Sequence, residues 1–243
     1  LFSLLIEADK LDASNTTTYK VQPCKKDAVD NLINSFPVSH SLMNNIRNEI
    51  RSQIKNKLNE NLLSNNIFTL TSPTGSGKTL LSLEFATYLK NLIFIKENKN
   101  VQIIYSLPFI NIIEQTINVV GNVFNADNEI LGHYQNTSYF DIIKTEESGQ
   151  DYNKRLQMLE TWQADIIVTS FVQLLETLIG NKNKYLKKFH HLADSIVILD
   201  EVQAIKTDFM PLIGAVIYYC SKFLNTKFLL MTATKPIIFE LAE

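Results

Sequence analysis

Short apolar runs alternate along this chain with stretches in which apolar side chains return every three or four positions. That alternation predicts strands separated by helices. The strand-like runs are Ile67 to Leu70, Val101 to Leu107, Ile166 to Thr169, Ile196 to Leu199 and Phe228 to Met231, with a shorter one over Glu129 to His133. Helical spacing appears at Leu81, Phe85 and Leu89, and at Ile112, Ile113 and Ile117 within Phe109 to Val120. It returns over Lys154 to Trp162, Phe171 to Ile179 and Phe209 to Phe223. Upstream, Ile46, Ile50, Ile54, Leu58 and Leu62 predict a long amphipathic helix; Arg47, Arg51 and Lys55, one position on, read as a solvated basic flank. Leu1 to Asp12 reads as the end of a helix with Leu4, Leu5 and Ala8 on its apolar side. Ala13 to Val38 mixes polar residues with Pro23, Lys25, Lys26 and Pro37, which is linker chemistry. Asn136 to Gln150 and the basic NKNKYLKK of Asn181 to Lys188 read as surface loops. Strands that are apolar throughout, alternating with helices, imply an α/β fold: a mostly parallel sheet covered on both faces. In such sheets chemistry gathers at the carboxyl ends of strands.

Composition narrows the picture modestly. The 243 residues suffice for one large α/β domain, and a net charge of −2 means that any nucleic-acid contact must come from a local patch or from backbone N–H groups. Cys24 and Cys220, with no CxxC spacing, fit a reducing cytoplasm rather than a disulfide framework. No apolar run is long enough to span a bilayer, so no membrane partner is expected. The chain starts without Met and in the middle of a pattern, which reads as a fragment.

The candidate chemistry sits at two strand ends. After Ile67 to Leu70 comes SPTGSGKT, Ser72 to Thr79, and then a helix. Strand, glycine turn and helix are the context that makes a P-loop. Gly75 and Gly77 permit positive φ, so that the N–H groups of Thr74 to Thr79 can cradle a triphosphate. Lys78 adds a point charge for the β and γ phosphates, and the Thr79 hydroxyl can ligate Mg²⁺. Ser72 stands where the pattern usually has its first glycine. The second element is Ile196 to Glu201, IVILDE: an apolar strand that delivers Asp200 toward Mg²⁺ and Glu201 toward the water that attacks the γ-phosphate.

Taken in order, SPTGSGKT, IIYSLPFINIIEQT, ADIIVTS, ILDEVQ and LMTATKP resemble the first RecA-like lobe of superfamily 2 helicases. The DEVQ box and its neighbours most resemble the CRISPR-associated helicase–nuclease of type I systems, an antiviral motor recruited by the Cascade surveillance complex. The opening LFSLLIEADKLDA is similar to the last helix of that family's HD nuclease domain. The resemblance implies three parts: residues 1–14 as the tail of the HD domain, 15–40 as a linker, and 41–243 as the first RecA-like lobe. It further implies an ATP-dependent single-stranded DNA translocase with ATP and Mg²⁺ as cofactors. Gln203 would sense the γ-phosphate and touch Thr232 and Thr234, which would couple nucleotide state to DNA grip. DNA contacts are implied near Pro108 to Gln115 and at Thr169 and Ser170. His133 sits where the family often has a histidine, although a structural histidine is the simpler reading.

Some features depart from the family. Asp9 matches the last HD-domain carboxylate, a transition-metal ligand in an intact nuclease, but no His precedes His40 and no His-Asp dipeptide exists. No working nuclease site is therefore expected, and His190-His191 lie too far along the chain to supply one. The second RecA-like lobe, which would contribute arginines to the ATP site, is not in the sequence, so weak nucleotide binding and negligible turnover are expected. No adenine-reading Gln is evident upstream of the P-loop. Two other readings remain: a superfamily 2 RNA or DNA helicase of another family, and a lone lobe that holds nucleotide or DNA without turnover.

Overall fold

The computed structural model describes residues 1–13, 17–37, 41–124, 128–134, 137–139 and 157–233. Seven strands form one sheet: β1 (Ile67–Thr71), β2 (Ile103–Leu107), β3 (Ile130–Tyr134), β4 (Thr137–Tyr139), β5 (Ile166–Ser170), β6 (Ile196–Leu199) and β7 (Lys227–Thr232). Their spatial order is β1-β7-β6-β2-β5-β3-β4. All neighbours run parallel except β3 and β4. The helices are α1 (Phe2–Ala13), α2 (Ala28–Ser35), α3 (Leu42–Lys57), α4 (Lys78–Glu97), α5 (Ile113–Phe124), α6 (Phe171–Ile179), α7 (Asn183–Phe189) and α8 (Met210–Phe223). Residues 157–161 are helical as well. Among the described residues no helix is long and apolar enough to cross a membrane.

β6 is apolar on every residue because both faces are covered, while β2 and β5 carry Ser106, Thr169 and Ser170 toward their carboxyl ends. Along β6, Ile196 and Ile198 enter the core layer that holds α2, α4 and α5, while Val197 and Leu199 enter the layer that holds α6 and α8. Phe228 and Leu230 of β7 go to the second layer, Leu229 and Met231 to the first. This period of two is the alternation of Cβ atoms across a strand.

Several expectations change once tertiary contacts are seen. The segment expected to be a linker contains α2, and Cys24, Ala28 and Val29 are buried in the first core layer. On α1 the inward residues are Ser3, Glu7 and Leu11, whereas Leu4, Leu5 and Ala8 face outward. Polar side chains can point inward there because each finds a partner, as described below. The basic loop at Asn181 to Lys188 is largely the helix α7, and Lys187 and Lys188 are buried. Lys187 pairs with Glu160 at 2.5 Å, and the Lys188 ammonium sits 5.4 Å from the centre of the Trp162 ring. The basic flank of α3 is solvated only in part: Arg47 and Lys55 are exposed, whereas Arg51 is half-buried. Arg51 bridges Asp30 and Glu84 at 2.6 and 2.8 Å, and Lys55 reaches Asp30 at 2.7 Å. The predicted helix through Leu62 also breaks after Lys57, where Asn59 caps a short turn at Glu60–Ser64. Of the expected loop at 136–150, residues 137–139 form β4; the rest of it, and the start of the helix expected from Lys154, lie outside the described residues.

One carboxylate holds the N-terminal residues to the lobe. Asp165, fully buried just before β5, accepts from Tyr19 Oη at 2.8 Å, Gln22 N at 2.5 Å, Asn128 Nδ2 at 3.1 Å and Glu129 N at 2.9 Å. Burial and the nearby Asp165 push the Tyr19 phenol well above its usual range, so it stays a donor. Every partner of Asp165 is a donor. The near-isosteric Asp165→Asn would turn an amide N–H toward other N–H and O–H groups. A loss of about 2–4 kcal/mol in urea unfolding is expected; a loss below about 1 kcal/mol would show that this carboxylate does not anchor the segment.

Candidate functional site

The P-loop leaves the end of β1 and closes on α4. Gly75 and Gly77 have φ of 77° and 83°. A Cβ at either position would meet nothing within 4 Å, so torsion rather than crowding selects glycine. Ser72, in place of the usual glycine, is buried; its hydroxyl donates to Ser76 Oγ at 2.6 Å and its N–H to the Thr232 carbonyl at 3.2 Å. Arg47 Nε donates to the Gly75 carbonyl at 3.0 Å, so α3 also steadies the loop. Thr74 and Gly75 are exposed, Ser76 and Lys78 buried, and Gly77 and Thr79 half-buried at the helix start.

The strand order sets what faces this loop. β7 lies between β1 and β6, so the carboxyl ends of all three stand side by side. Asp200 follows β6 directly, and Glu201 comes next with φ 54°, a left-handed conformation unusual for a side chain of its size. That turn brings the Glu201 carboxylate to Lys78, with Oε1 accepting from Nζ at 2.6 Å. Lys78 and the acidic pair, far apart in sequence, are thus one constellation.

Asp200 is buried. Its Oδ2 accepts from the Tyr105 hydroxyl of β2 at 2.9 Å, while its Oδ1 is enclosed and has no hydrogen-bond partner. Burial raises its carboxyl pKa above the usual value; the Tyr105 hydrogen bond and the charge of Lys78 oppose that rise only in part. An orphaned carboxylate oxygen beside the Thr79 end of the P-loop is the kind of ligand a hard cation takes. The residues present therefore fit Mg²⁺. Tyr105 is fully buried and also faces the Ser82 hydroxyl, at 3.5 Å, so it bridges the P-loop helix and the acidic strand. Sequence reasoning missed it. Its signal was a phenol within an otherwise apolar run.

The remaining candidates fall as follows. Gln203 donates to Glu201 Oε2 from a turn at Val202–Ala204 that packs on β7. Thr232 is fully buried, with its carbonyl bound to the P-loop; Thr234 lies outside the described residues. Pro108 and Gln115 follow the end of β2, with Gln115 exposed. The hydroxyls at the end of β5 are engaged within the protein: Thr169 Oγ1 donates to the His133 carbonyl at 2.6 Å, and Ser170 Oγ caps α6 by accepting from Gln173 N at 3.2 Å. His133 Nδ1 accepts from Trp162 Nε1 at 2.8 Å, and burial with nearby lysines lowers its pKa to about 3. It is a neutral structural histidine. Asp9 is exposed on α1 and does not belong to the Glu7, His190 and His191 cluster.

Comparison with known proteins places this arrangement. The DEAD/DEAH box helicase family matches residues 48–240. A CRISPR-associated nuclease/helicase Cas3 from Haloferax volcanii is 31% identical over 189 residues, covering 73% of this chain and 20% of the relative. The fold is similar to that of T. fusca Cas3 with ATP, at a TM-score of 0.60 and 18% identity, covering 93% of this chain and 24% of that one. It is also similar to a hypothetical ATP-dependent RNA helicase from Sulfolobus tokodaii, at a TM-score of 0.54 and 18% identity, covering 90% of this chain and 54% of that one. The chain spans about a fifth of the length of the curated Cas3 relative and about a quarter of T. fusca Cas3. The parallel sheet, the P-loop facing an acidic pair and the extent of the family match agree: this chain belongs to the DEAD/DEAH box helicase family.

Proposed function

We propose that the chain is the ATP-binding lobe of a single-stranded DNA translocase acting in type I CRISPR interference, in the cytoplasm, alongside a Cascade-type complex and a second RecA-like lobe. The observation that carries the ATP site is the ion pair between Lys78 and Glu201, set beside the orphaned Oδ1 of Asp200. Similarity to Cas3 supports the choice of pathway.

Thr74 to Thr79 bind the triphosphate through backbone N–H groups and the Lys78 ammonium. Thr79 and Asp200 would hold the Mg²⁺, which when bound supplies positive charge against the β and γ oxygens. Lys78 has two suitors in this arrangement, the Glu201 carboxylate and the incoming phosphates. When it turns to the phosphates it releases Glu201, which can then orient and deprotonate a water. Gln203 is bonded to the same carboxylate and so reports whether Glu201 is engaged. Thr232, tied by its carbonyl to Ser72, passes that state on together with Thr234. DNA lies across the strand ends near Pro108 to Gln115 and is held near Thr169 and at Ser170, whose hydroxyl accepts from Gln173 N and keeps its own proton to donate to a phosphate. An arginine from a second lobe completes the transition state and is worth roughly 10³–10⁵ in rate.

The chain alone should bind a fluorescent ATP analogue and hydrolyse ATP negligibly, while a polypeptide extended through a second lobe should show DNA-stimulated hydrolysis. In that longer protein, Lys78→Ala should abolish binding and Glu201→Gln should preserve binding while lowering kcat at least ~100-fold. DNA-stimulated turnover that survives either change would overturn the assignment. Divalent-dependent binding should also weaken as pH falls through the raised Asp200 pKa, sooner than for an ordinary aspartate near ~3.9. Tyr105→Phe removes a bond that favours the carboxylate and should shift this loss to still higher pH; an unmoved profile would show that the phenol does not tune Asp200.

A further inference from the structure

A second convergence of ligand-type side chains lies away from the P-loop, where α1 meets α7. Glu7 of α1 is buried, and two consecutive imidazoles aim at its carboxylate. His190 Nε2 is 2.7 Å from Oε2, and His191 Nε2 is 3.0 Å from Oε1. The three ligand atoms all lie within 4.8 Å of one another, and among the described residues this is the one such cluster.

Proton accounting gives the cluster its meaning. Ser3 has a single hydroxyl proton, and it goes to the Leu186 carbonyl. Ser3 Oγ therefore accepts from the His190 N–H at 3.0 Å and from His190 Nδ1 at 2.9 Å. With its proton committed to Nδ1, a neutral His190 turns a bare Nε2 lone pair toward a carboxylate oxygen, which is repulsive. A proton on Nε2 or a metal ion removes that repulsion. A proton there serves the Glu7–His190 contact alone, while burial lowers the pKa of His191, whose ring centre stands 4.2 Å from that of His190. A single divalent cation satisfies all three side chains at once.

We propose that Glu7, His190 and His191 bind a divalent transition-metal cation of the zinc class, which clasps α1 to the helicase lobe. Two imidazole nitrogens and one carboxylate, with water as the fourth ligand, form an open tetrahedral set. At metal–ligand distances of about 2.0–2.2 Å its donor atoms stand roughly 3.3 Å apart. Small side-chain shifts reach that spacing from the distances seen here. The outer partners are in place: Ser3 fixes the His190 ring, and Gln163 Nε2 donates to Glu7 Oε1 at 2.8 Å. Burial raises the Glu7 pKa, but side-chain bonds from His190, His191 and Gln163 outweigh it and hold the carboxyl far below the usual range, so it is ionised and ready to coordinate. Both histidines keep some solvent access, which gives the ion an entry path.

The site is separate from the nucleotide machinery and is tested without nucleotide. The chain is stripped with a chelator and titrated with Zn²⁺ against a chromophoric competitor, and separately with Co²⁺ while the visible ligand-field bands are recorded. Stoichiometric binding is expected, with tetrahedral Co²⁺ bands and a rise in melting temperature on adding Zn²⁺. His191→Ala and Glu7→Gln should each weaken binding at least ~10-fold, and Ser3→Ala ~10-fold or more through the outer shell. Asp200→Asn should leave it unchanged. Circular dichroism establishes that each variant is folded, and His191→Ala, which leaves the Glu7–His190 pair intact, serves should Glu7→Gln fail to fold. Absence of stoichiometric binding to the unaltered chain, or binding indifferent to folded His191→Ala, would overturn the proposal.

Discussion

Everything at the candidate ATP site depends on four parallel strands lying side by side. A parallel sheet has its hydrogen bonds satisfied within itself and both faces covered by helices, so its open surface is the row of strand ends. Here the row reads β1, β7, β6, β2. The phosphate loop, the Thr232 carbonyl, the Asp200-Glu201 pair and the Tyr105 phenol become neighbours through that order alone. No residue among them is close to all the others in sequence. The Lys78–Glu201 pair is therefore a product of topology, and it holds only while β7 remains inserted between its two partners.

The site was largely legible in the sequence because its requirements are local. Gly75 and Gly77 are needed for backbone torsions within the loop itself, and Asp200 is delivered by the strand immediately before it. The sheet was legible for the same kind of reason, since strands buried on both faces are apolar along most of their length. What escaped was set by contacts between distant segments. Nothing around Lys187 and Lys188 foretells that Glu160 and Trp162 will meet them, so a basic stretch looked solvated. On α1 the apolar pattern pointed to Leu4 and Leu5, whereas the buried face is the one whose polar groups find partners on the lobe. A hydrophobic pattern records the cost of exposing carbon; it cannot record that a buried Glu7 will be met by two imidazoles and an amide.

The described N-terminal residues belong physically to the lobe through polar anchors as well as through the apolar burial of Cys24, Ala28 and Val29. Asp165 gathers the stretch around Tyr19 and Gln22, the Arg51–Glu84–Asp30 group ties α2 to α3 and α4, and Glu7 ties α1 to the turn after α7. Each anchor is directional. Polar contacts of this kind specify one docking geometry, where a greasy surface would tolerate several.

Residue 201 carries a hidden expense. A glutamate held at φ 54° sits in a region that side chains with a Cβ avoid, at a penalty on the order of 1–3 kcal/mol. A relaxed backbone there would swing the carboxylate off the lysine it faces. The fold thus carries backbone strain at the residue that meets Lys78 of the P-loop, one of five non-glycine residues held at positive φ among those described.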